Sequence, residues 1–351
     1  MFYTEELEKP DQRKMTLYSM RPIPKGLVAP SPNATPLNPQ PEFRWHSLRE
    51  EWVSYASHRQ ERTFLPPPEY NPLAPITNPK IPTEMPVGDY DAAVFQNLFP
   101  SLSMTAPAQG ACEVVVFTQD AHLTLGSLSL KHLELILDIW ADRTTRLSKH
   151  PEIRYVMPFE NRGVEMGVTL HHPHGQIYAY PFVPPVAERE LEAQKKYFEK
   201  EKIGLLEKLV QDELTDQRRM IYSGQSAVSF VPVCARYPYE TWVLPRRRVA
   251  LLSQLAPLEK SDLARALKTT LLKYDGLWQK PFPYLMVLHQ GPVNDAAFEG
   301  SHLHFEFYPA YRSKGRLKYL AGTELGAGMF ANDTLPEEKA AELRAVEISL
   351  E

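Results

Sequence analysis

Only two cysteines, Cys112 and Cys234, occur in 351 residues, far apart and in no Cys-x-x-Cys pair. Neither a disulfide framework nor a thiolate zinc site is suggested, and both thiols are expected to lie buried in apolar strands. No apolar run is long enough to span a bilayer, and Met1 to Lys9 lack the basic-then-apolar order of a secretory leader. A cytoplasmic protein with no membrane partner is expected. Excess positive charge is missing too: 39 Lys and Arg against 43 Asp and Glu give a formal net charge of -4. Nucleic-acid surfaces carry an excess of Lys and Arg, so no nucleic-acid partner is expected and phosphate binding should be local.

Proline is what the chain has in abundance, with 33 residues. Pro22, Pro24, Pro30, Pro32, Pro36, Pro39 and Pro41 crowd the start, and Pro66, Pro67 and Pro68 follow. Proline removes an amide donor and fixes φ, so residues 1 to 45 and 65 to 90 are expected to be long irregular segments laid over a core. Loops of that length are often functional. At 43% hydrophobic and 23% charged residues, the chain can fill two modest domains or one large one.

The segment Thr169-Leu-His-His-Pro-His-Gly-Gln-Ile-Tyr178 sets two imidazoles one residue apart and follows them with an amide. Pro173 keeps the pair extended, and in extended chain alternate residues share a face, so His172, His174 and Gln176 are expected to converge. Such a cluster could bind a metal, hold a phosphate or attack one. Gly163, Gly167 and Gly175 would allow close backbone approach to an anion, with Asn161 and Thr169 as neutral donors.

The same order of elements occurs twice. In the first copy, Glu113 to Phe117 reads as a strand, Leu128 to Leu147 as a helix, Ile153 to Phe159 as a strand, and Val168 to Val183 as the strand carrying the histidines. In the second, Ala227 to Val233 and Thr241 to Leu244 read as a hairpin, Pro257 to Tyr274 as a helix, and Tyr284 to Leu288 as a strand. A second His-x-His strand, His302 to Pro309, ends the series. His302 and His304 answer to His172 and His174, and Glu306 to Gln176; counting back an equal distance pairs His289 with Phe159. Each copy is expected to be an α+β unit, an antiparallel sheet with a helix on one face. Ala187 to Leu214 reads as one or two helices between them, so the division falls at residues 1–184 and 185–351.

Gly163-x-x-x-Gly167-x-x-x-x-His172-Pro-His174-Gly-Gln176 resembles the histidine-triad superfamily, and more closely the galactose-1-phosphate uridylyltransferase family. The likeness continues through Phe182-x-Pro184, Arg59 and Arg62 in Ser-His-Arg-x-x-Arg, Tyr239-Glu-Thr-x-x-Leu-Pro245, and the segment from His302 to Arg344. It implies a fold of duplicated histidine-triad-like units and a double displacement. A nitrogen of His174 attacks UDP-glucose, glucose 1-phosphate leaves, and galactose 1-phosphate takes the uridylyl group. The resemblance also implies that the His172 carbonyl holds the other nitrogen of His174. Gln176 would then donate to a phosphate oxygen, and a neutral amide, unable to act as a general acid, disfavours a hydrolase.

The same likeness makes Arg59 and Arg62 phosphate contacts, Asn97 a ribose or uracil contact, and Lys318 and Glu324 hexose contacts shared across a homodimer. Glu190, His289, His302 and His304 would hold one iron or zinc ion, structural in role because four ligands leave no open position. Relatives' Cys-x-x-Cys zinc motif is replaced by Asn71-Pro-Leu-Ala74, and Ala121 stands where a histidine is expected, with His122 next to it. No zinc is expected in the first copy, its Pro-rich loop being held by packing. Leu98 replaces an aspartate and Thr323 a tyrosine, which leaves base and hexose identity open. The rival readings are an ADP-glucose-using adenylyltransferase or phosphorylase, and a nonenzymatic sugar-nucleotide-binding module. Joint retention of His174, Gln176 and Arg59 argues against the module.

Overall fold

Most strands of this chain fall where apolar and polar residues alternate, the one at Tyr155–Arg162 despite its interior Pro158, and the helices at Leu130–Leu147 and Pro257–Leu277 fall where leucines recur every three or four positions. A computed structural model describes residues 2–350 apart from 37, 63, 64, 68, 296 and 297. Pro68, counted above among the loop prolines, lies outside the described residues. The first half contributes β1 (Tyr3–Glu8), β2 (Lys14–Ser19), β3 (Glu42–His46), β4 (Glu51–Tyr55), β5 (Ala92–Gln96), β6 (Ala111–Val116), α1 (Leu130–Leu147), β7 (Tyr155–Arg162) and β8 (His174–Tyr180). Helices α2 (Pro185–Glu201) and α3 (Leu205–Asp216) follow. The second half adds β9 (Met220–Ser223), β10 (Ala227–Phe230), β11 (Thr241–Pro245), α4 (Pro257–Leu277), β12 (Tyr284–His289) and β13 (His304–Pro309). A small hairpin, β14 (Tyr311–Ser313) and β15 (Arg316–Leu317), and α5 (Pro336–Ala345) end the chain.

Eleven strands form one antiparallel sheet in the order β1-β2-β5-β6-β8-β7-β12-β13-β11-β10-β9. The run β5-β6-β8-β7 is repeated in reverse as β12-β13-β11-β10, so the two copies meet edge to edge at β7 and β12. There Phe159 stands opposite Val287 and Arg162 opposite Tyr284. One apolar core joins Ile177 and Ala179 of β8, Phe305 and Phe307 of β13, Ile136 and Trp140 of α1, and Leu267 and Leu271 of α4. Each isoleucine, leucine or phenylalanine among them contributes about 1.5–3 kcal/mol by leaving water. Because successive side chains alternate, this burial turns His174 and Gln176, and likewise His304 and Glu306, to the face away from α1 and α4. No helix among the described residues is long and apolar enough to cross a membrane.

Several expectations change. Residues 1–45 are not all irregular: β1 and β2 extend the sheet and β3 pairs with β4. Most prolines of that stretch come after β2, and Pro10 sits in the β1–β2 turn. The histidine strand begins at His174 rather than Val168. Cys112 is buried in β6 as expected, whereas Cys234 is exposed and lies between β10 and β11. The interdomain stretch is two helices, α2 being closed by Lys202 in the left-handed conformation at φ 60°. Finally, His289 pairs with His304 while Phe159 pairs with Gln176. Phe159 therefore answers to Val287, which faces Glu306, and Asn161 takes the place of His289.

Candidate active site and metal cluster

A cavity of about 460 Å³ lies on the sheet face opposite the helices, in the first half. Its walls include Arg59, Arg62, Asn97, Asn161, Gly167, Thr169, His174 and Gln176, brought together from five separate stretches of chain. Phe95, Leu98, Phe99 and Val114 make one side apolar. Lys318 and Glu324 are elsewhere: Lys318 Nζ donates to Glu324 Oε1 at 3.3 Å and to the Ala331 carbonyl at 2.6 Å, within one C-terminal loop.

His174 Nδ1 donates to the His172 carbonyl at 2.7 Å. The proton is thereby fixed on Nδ1, and the lone pair is left on Nε2. Burial pulls the His174 pKa below its ordinary value, partly opposed by that carbonyl, so the neutral ring persists at neutral pH. His172 does not face the cavity, because the alternation that unites His174 and Gln176 starts only at His174. Its Nε2 meets the Thr118 carbonyl at 2.7 Å and its Nδ1 meets Asn71 Nδ2 at 3.0 Å, which occupies both nitrogens. Burial lowers its pKa as well.

Gln176 Oε1 accepts from Asn97 Nδ2 at 3.5 Å, and Asn97 Oδ1 accepts from the Phe99 amide at 2.8 Å. This pattern leaves the Gln176 NH2 for the cavity. Arg59 is anchored by the Phe99 carbonyl at 2.8 Å, while Arg62 is exposed and makes no side-chain hydrogen bond or ion pair among the described residues. Asn161 spends its NH2 on the Met166 carbonyl at 3.3 Å, leaving Oδ1 buried and unpartnered, so it presents an acceptor rather than the donor expected. The glycines differ in task. Gly167 lines the cavity at φ 75°, whereas a methyl group on Gly175 would fall 2.7 Å from Phe117 and 2.8 Å from the Phe159 carbonyl. Gly175 thus serves packing and not anion approach.

Sequence reasoning missed what holds the roof. Lys9 Nζ donates to the Pro30 carbonyl at 2.7 Å and to Glu84 Oε2 at 2.8 Å, and Arg13 reaches the same Oε2 at 2.8 Å. With Asp11 and Ser31 they form a buried charged network that ties the first turn to both Pro-rich segments. Leu73, Met85 and Tyr90 pack beside it against Leu17 and Phe95, so packing is joined by ion pairing. Partners 75 residues apart leave no local signal.

In the second half the donor atoms of Glu190, His289 and His304 lie within 4.8 Å of one another. Glu190 Oε2 is 2.8 Å from His289 Nδ1 but out of line for a hydrogen bond, and both His289 nitrogens are buried without a hydrogen-bond partner. A buried imidazole left unbonded is costly, and a cation between these donors would satisfy it. The three residues thus fit a metal site. His302 lines the same small cavity, with Nε2 on the Pro245 carbonyl at 2.9 Å and Nδ1 unpartnered, so it stands beside the trio without joining it. Glu306, in Gln176's place, pairs with Arg236 at 2.9 Å. Burial pushes its carboxyl up, but the bond to His304 and the neighbouring His289, His304 and Arg236 outweigh burial and hold it below the ordinary carboxylate range. The second copy therefore has an anion where the first has a neutral amide.

Family models for the N-terminal and C-terminal domains of galactose-1-phosphate uridyl transferase match residues 97–184 and 190–350. The galactose-1-phosphate uridylyltransferase of Thermotoga maritima is 36% identical over 325 residues, covering 88% of this chain and 99% of that one. This chain belongs to the galactose-1-phosphate uridylyltransferase family. Another uridylyltransferase of the family, from Rattus norvegicus, is 32% identical over 334 residues, with 87% of each chain covered. A solved structure of a uridylyltransferase superposes with a TM-score of 0.77 at 34% identity, over 87% of this chain and 98% of that one. An ADP-glucose phosphorylase from Arabidopsis thaliana, TM-score 0.67 at 24% identity over 88% and 100%, shares the fold.

Proposed function

We propose that this chain transfers a uridylyl group from UDP-glucose to galactose 1-phosphate through a uridylyl-His174 intermediate. The observation that carries the reading is His174 itself, its Nδ1 held at 2.7 Å by the His172 carbonyl and its Nε2 lone pair left for a cavity with two arginines. Nε2 attacks the α-phosphorus, a P–N bond forms, and the bond from that phosphorus to the bridging oxygen breaks. The electron pair leaves with glucose 1-phosphate. A phosphate oxygen of galactose 1-phosphate then attacks the same phosphorus and the P–N pair returns to Nε2. Arg59 and Arg62 offset charge on the phosphates, and the Gln176 NH2 donates to a non-bridging oxygen as charge gathers there. Asn97, Asn161, Gly167 and Thr169 bind the remainder of the nucleotide.

Glu190, His289 and His304, with His302 beside them, hold one iron or zinc ion that braces α2 against β12 and β13. The reading includes a homodimer in a cytoplasmic setting, in which Lys318 and Glu324 of the partner subunit complete the hexose pocket. Intact mass after mixing with UDP-glucose tests the chemistry: one uridylyl group is gained and is lost on adding galactose 1-phosphate. His174→Ala gains none. Labelling by ADP-glucose alone would replace this reading with the adenylyl one, and no adduct from either would leave a binding module.

A further inference from the structure

We propose that Asn71 is a positioning residue for the nucleophile, acting through His172; this rests on the reading of His174 as nucleophile. A carbonyl only accepts, so the 2.7 Å contact to Thr118 puts the His172 proton on Nε2 and leaves Nδ1 as an acceptor. Asn71 Nδ2 fills that acceptor at 3.0 Å, and Asn71 Oδ1 accepts from the Leu73 amide at 3.1 Å. The ring is thus held at both ends and cannot take a second proton without losing the Asn71 bond. The backbone of this fixed residue supplies the carbonyl that orients His174.

The second copy is a built-in comparison. His302 also bonds a carbonyl through Nε2, that of Pro245 at 2.9 Å, but its buried Nδ1 has no partner. There the following histidine lies 3.4 Å from the His302 carbonyl, against 2.7 Å in the first copy. The copy with a donor on the first ring has the tight orienting bond, and the copy without it does not. Asn71 thereby also links the loop carrying Leu73, a cavity wall, to the state of the nucleophile.

Two substitutions separate this role from simple loop anchoring. Asn71→Asp keeps the acceptor for the Leu73 amide but replaces the donor facing His172 with a carboxylate, whereas Asn71→Ala removes both. In the full-length protein both variants should form the uridylyl adduct about tenfold or more slowly at saturating UDP-glucose, as misplacement of a reacting group does. The UDP-glucose concentration for half-maximal rate should stay unchanged. Nitrogen-15 spectra of the histidines should show His172 protonated on Nε2 with Nδ1 hydrogen-bonded in the parent, and that Nδ1 bond lost in both variants. Parent-like labelling by Asn71→Asp would overturn the inference, leaving only an anchoring role, and Asn71→Asp carries the test if Asn71→Ala does not fold. No adduct on the parent would instead overturn the underlying reading, and the inference with it.

Discussion

Glu160 lies in β7 on the core side of the sheet, 4% exposed, between cavity residues Phe159 and Asn161. Tyr284 donates to its Oε2 at 2.8 Å across the seam between the two copies. Burial drives its pKa up; Arg162 and the Tyr284 hydroxyl pull it back, Asp275 adds to the rise, and the balance is about 7. An unfolded chain would hold it near the ordinary 4.5. The folded state therefore keeps a proton that the unfolded state loses, so this contribution to stability is whole below pH 4.5 and is lost as pH rises through 7. Moving the proton's release from 4.5 to about 7 stabilises the fold by roughly 3 kcal/mol, at about 1.36 kcal/mol per tenfold in proton affinity. Glu160→Gln retains an acceptor for Tyr284 and removes the titration. Urea midpoints for parent and variant should nearly coincide at pH 5, and the variant should gain up to about 3 kcal/mol by pH 8. A difference that does not change between those pH values would refute the reasoning.

Other outcomes follow from the same geometry. Adduct formation from UDP-glucose, measured against pH, should lose rate on the acid side only below pH 6.5, because burial lowers the His174 pKa from there and protonation removes the lone pair; an acid limb above 6.5 counts against it. Gln176→Ala should slow transfer about a hundredfold with little change in UDP-glucose affinity, as loss of a transition-state donor does, and a change confined to affinity would make Gln176 a plain binding contact. Elemental analysis should find one divalent metal per chain; His289→Ala should lose it and melt at lower temperature, and a full metal complement in that variant would disqualify the cluster. Lys9→Met leaves Glu84 paired with Arg13 alone and the Pro30 carbonyl without its donor, so stability should drop by about 1–3 kcal/mol, and unchanged urea midpoints would show the lysine's part of the network to be neutral.

The chemistry-bearing strands were legible because His-x-His followed by a buried apolar alternation is a local pattern, and its echo at His302 exposed the duplication. Fixed-distance counting then failed by two residues at Phe159. Partners across a sheet are set by the ladder, and the connections from β7 to β8 and from β12 to β13 leave the ladder at different points. His172 was misplaced for a related reason: extended chain was assumed to run through Pro173, but strand pairing starts one residue later. Proline content hid β1 and β2, since a count over 45 residues cannot see that the proline-free stretches alternate. The ties of Lys9 and Arg13 to Glu84 and the Asn71 bond to His172 join residues 71 to 101 positions apart, which no window along the chain can register. Asn71 did carry a faint sign, standing where the family resemblance implies a thiolate.

The β7–β12 pairing bears on whether either half can live alone. Main-chain hydrogen bonds stitch the two copies into one ladder, with Tyr284 opposite Arg162 and Val287 opposite Phe159, and Arg162 grips Asp275 of α4 at 2.8 Å. Cutting the chain after residue 184 would leave β7 with a row of unanswered amides and carbonyls and strip Glu160 of its tyrosine. Bare edges of that kind recruit other strands. The two copies are obligate neighbours: a fragment of residues 1–184 should precipitate or pair with itself, and mixing it with 185–351 should restore a soluble particle.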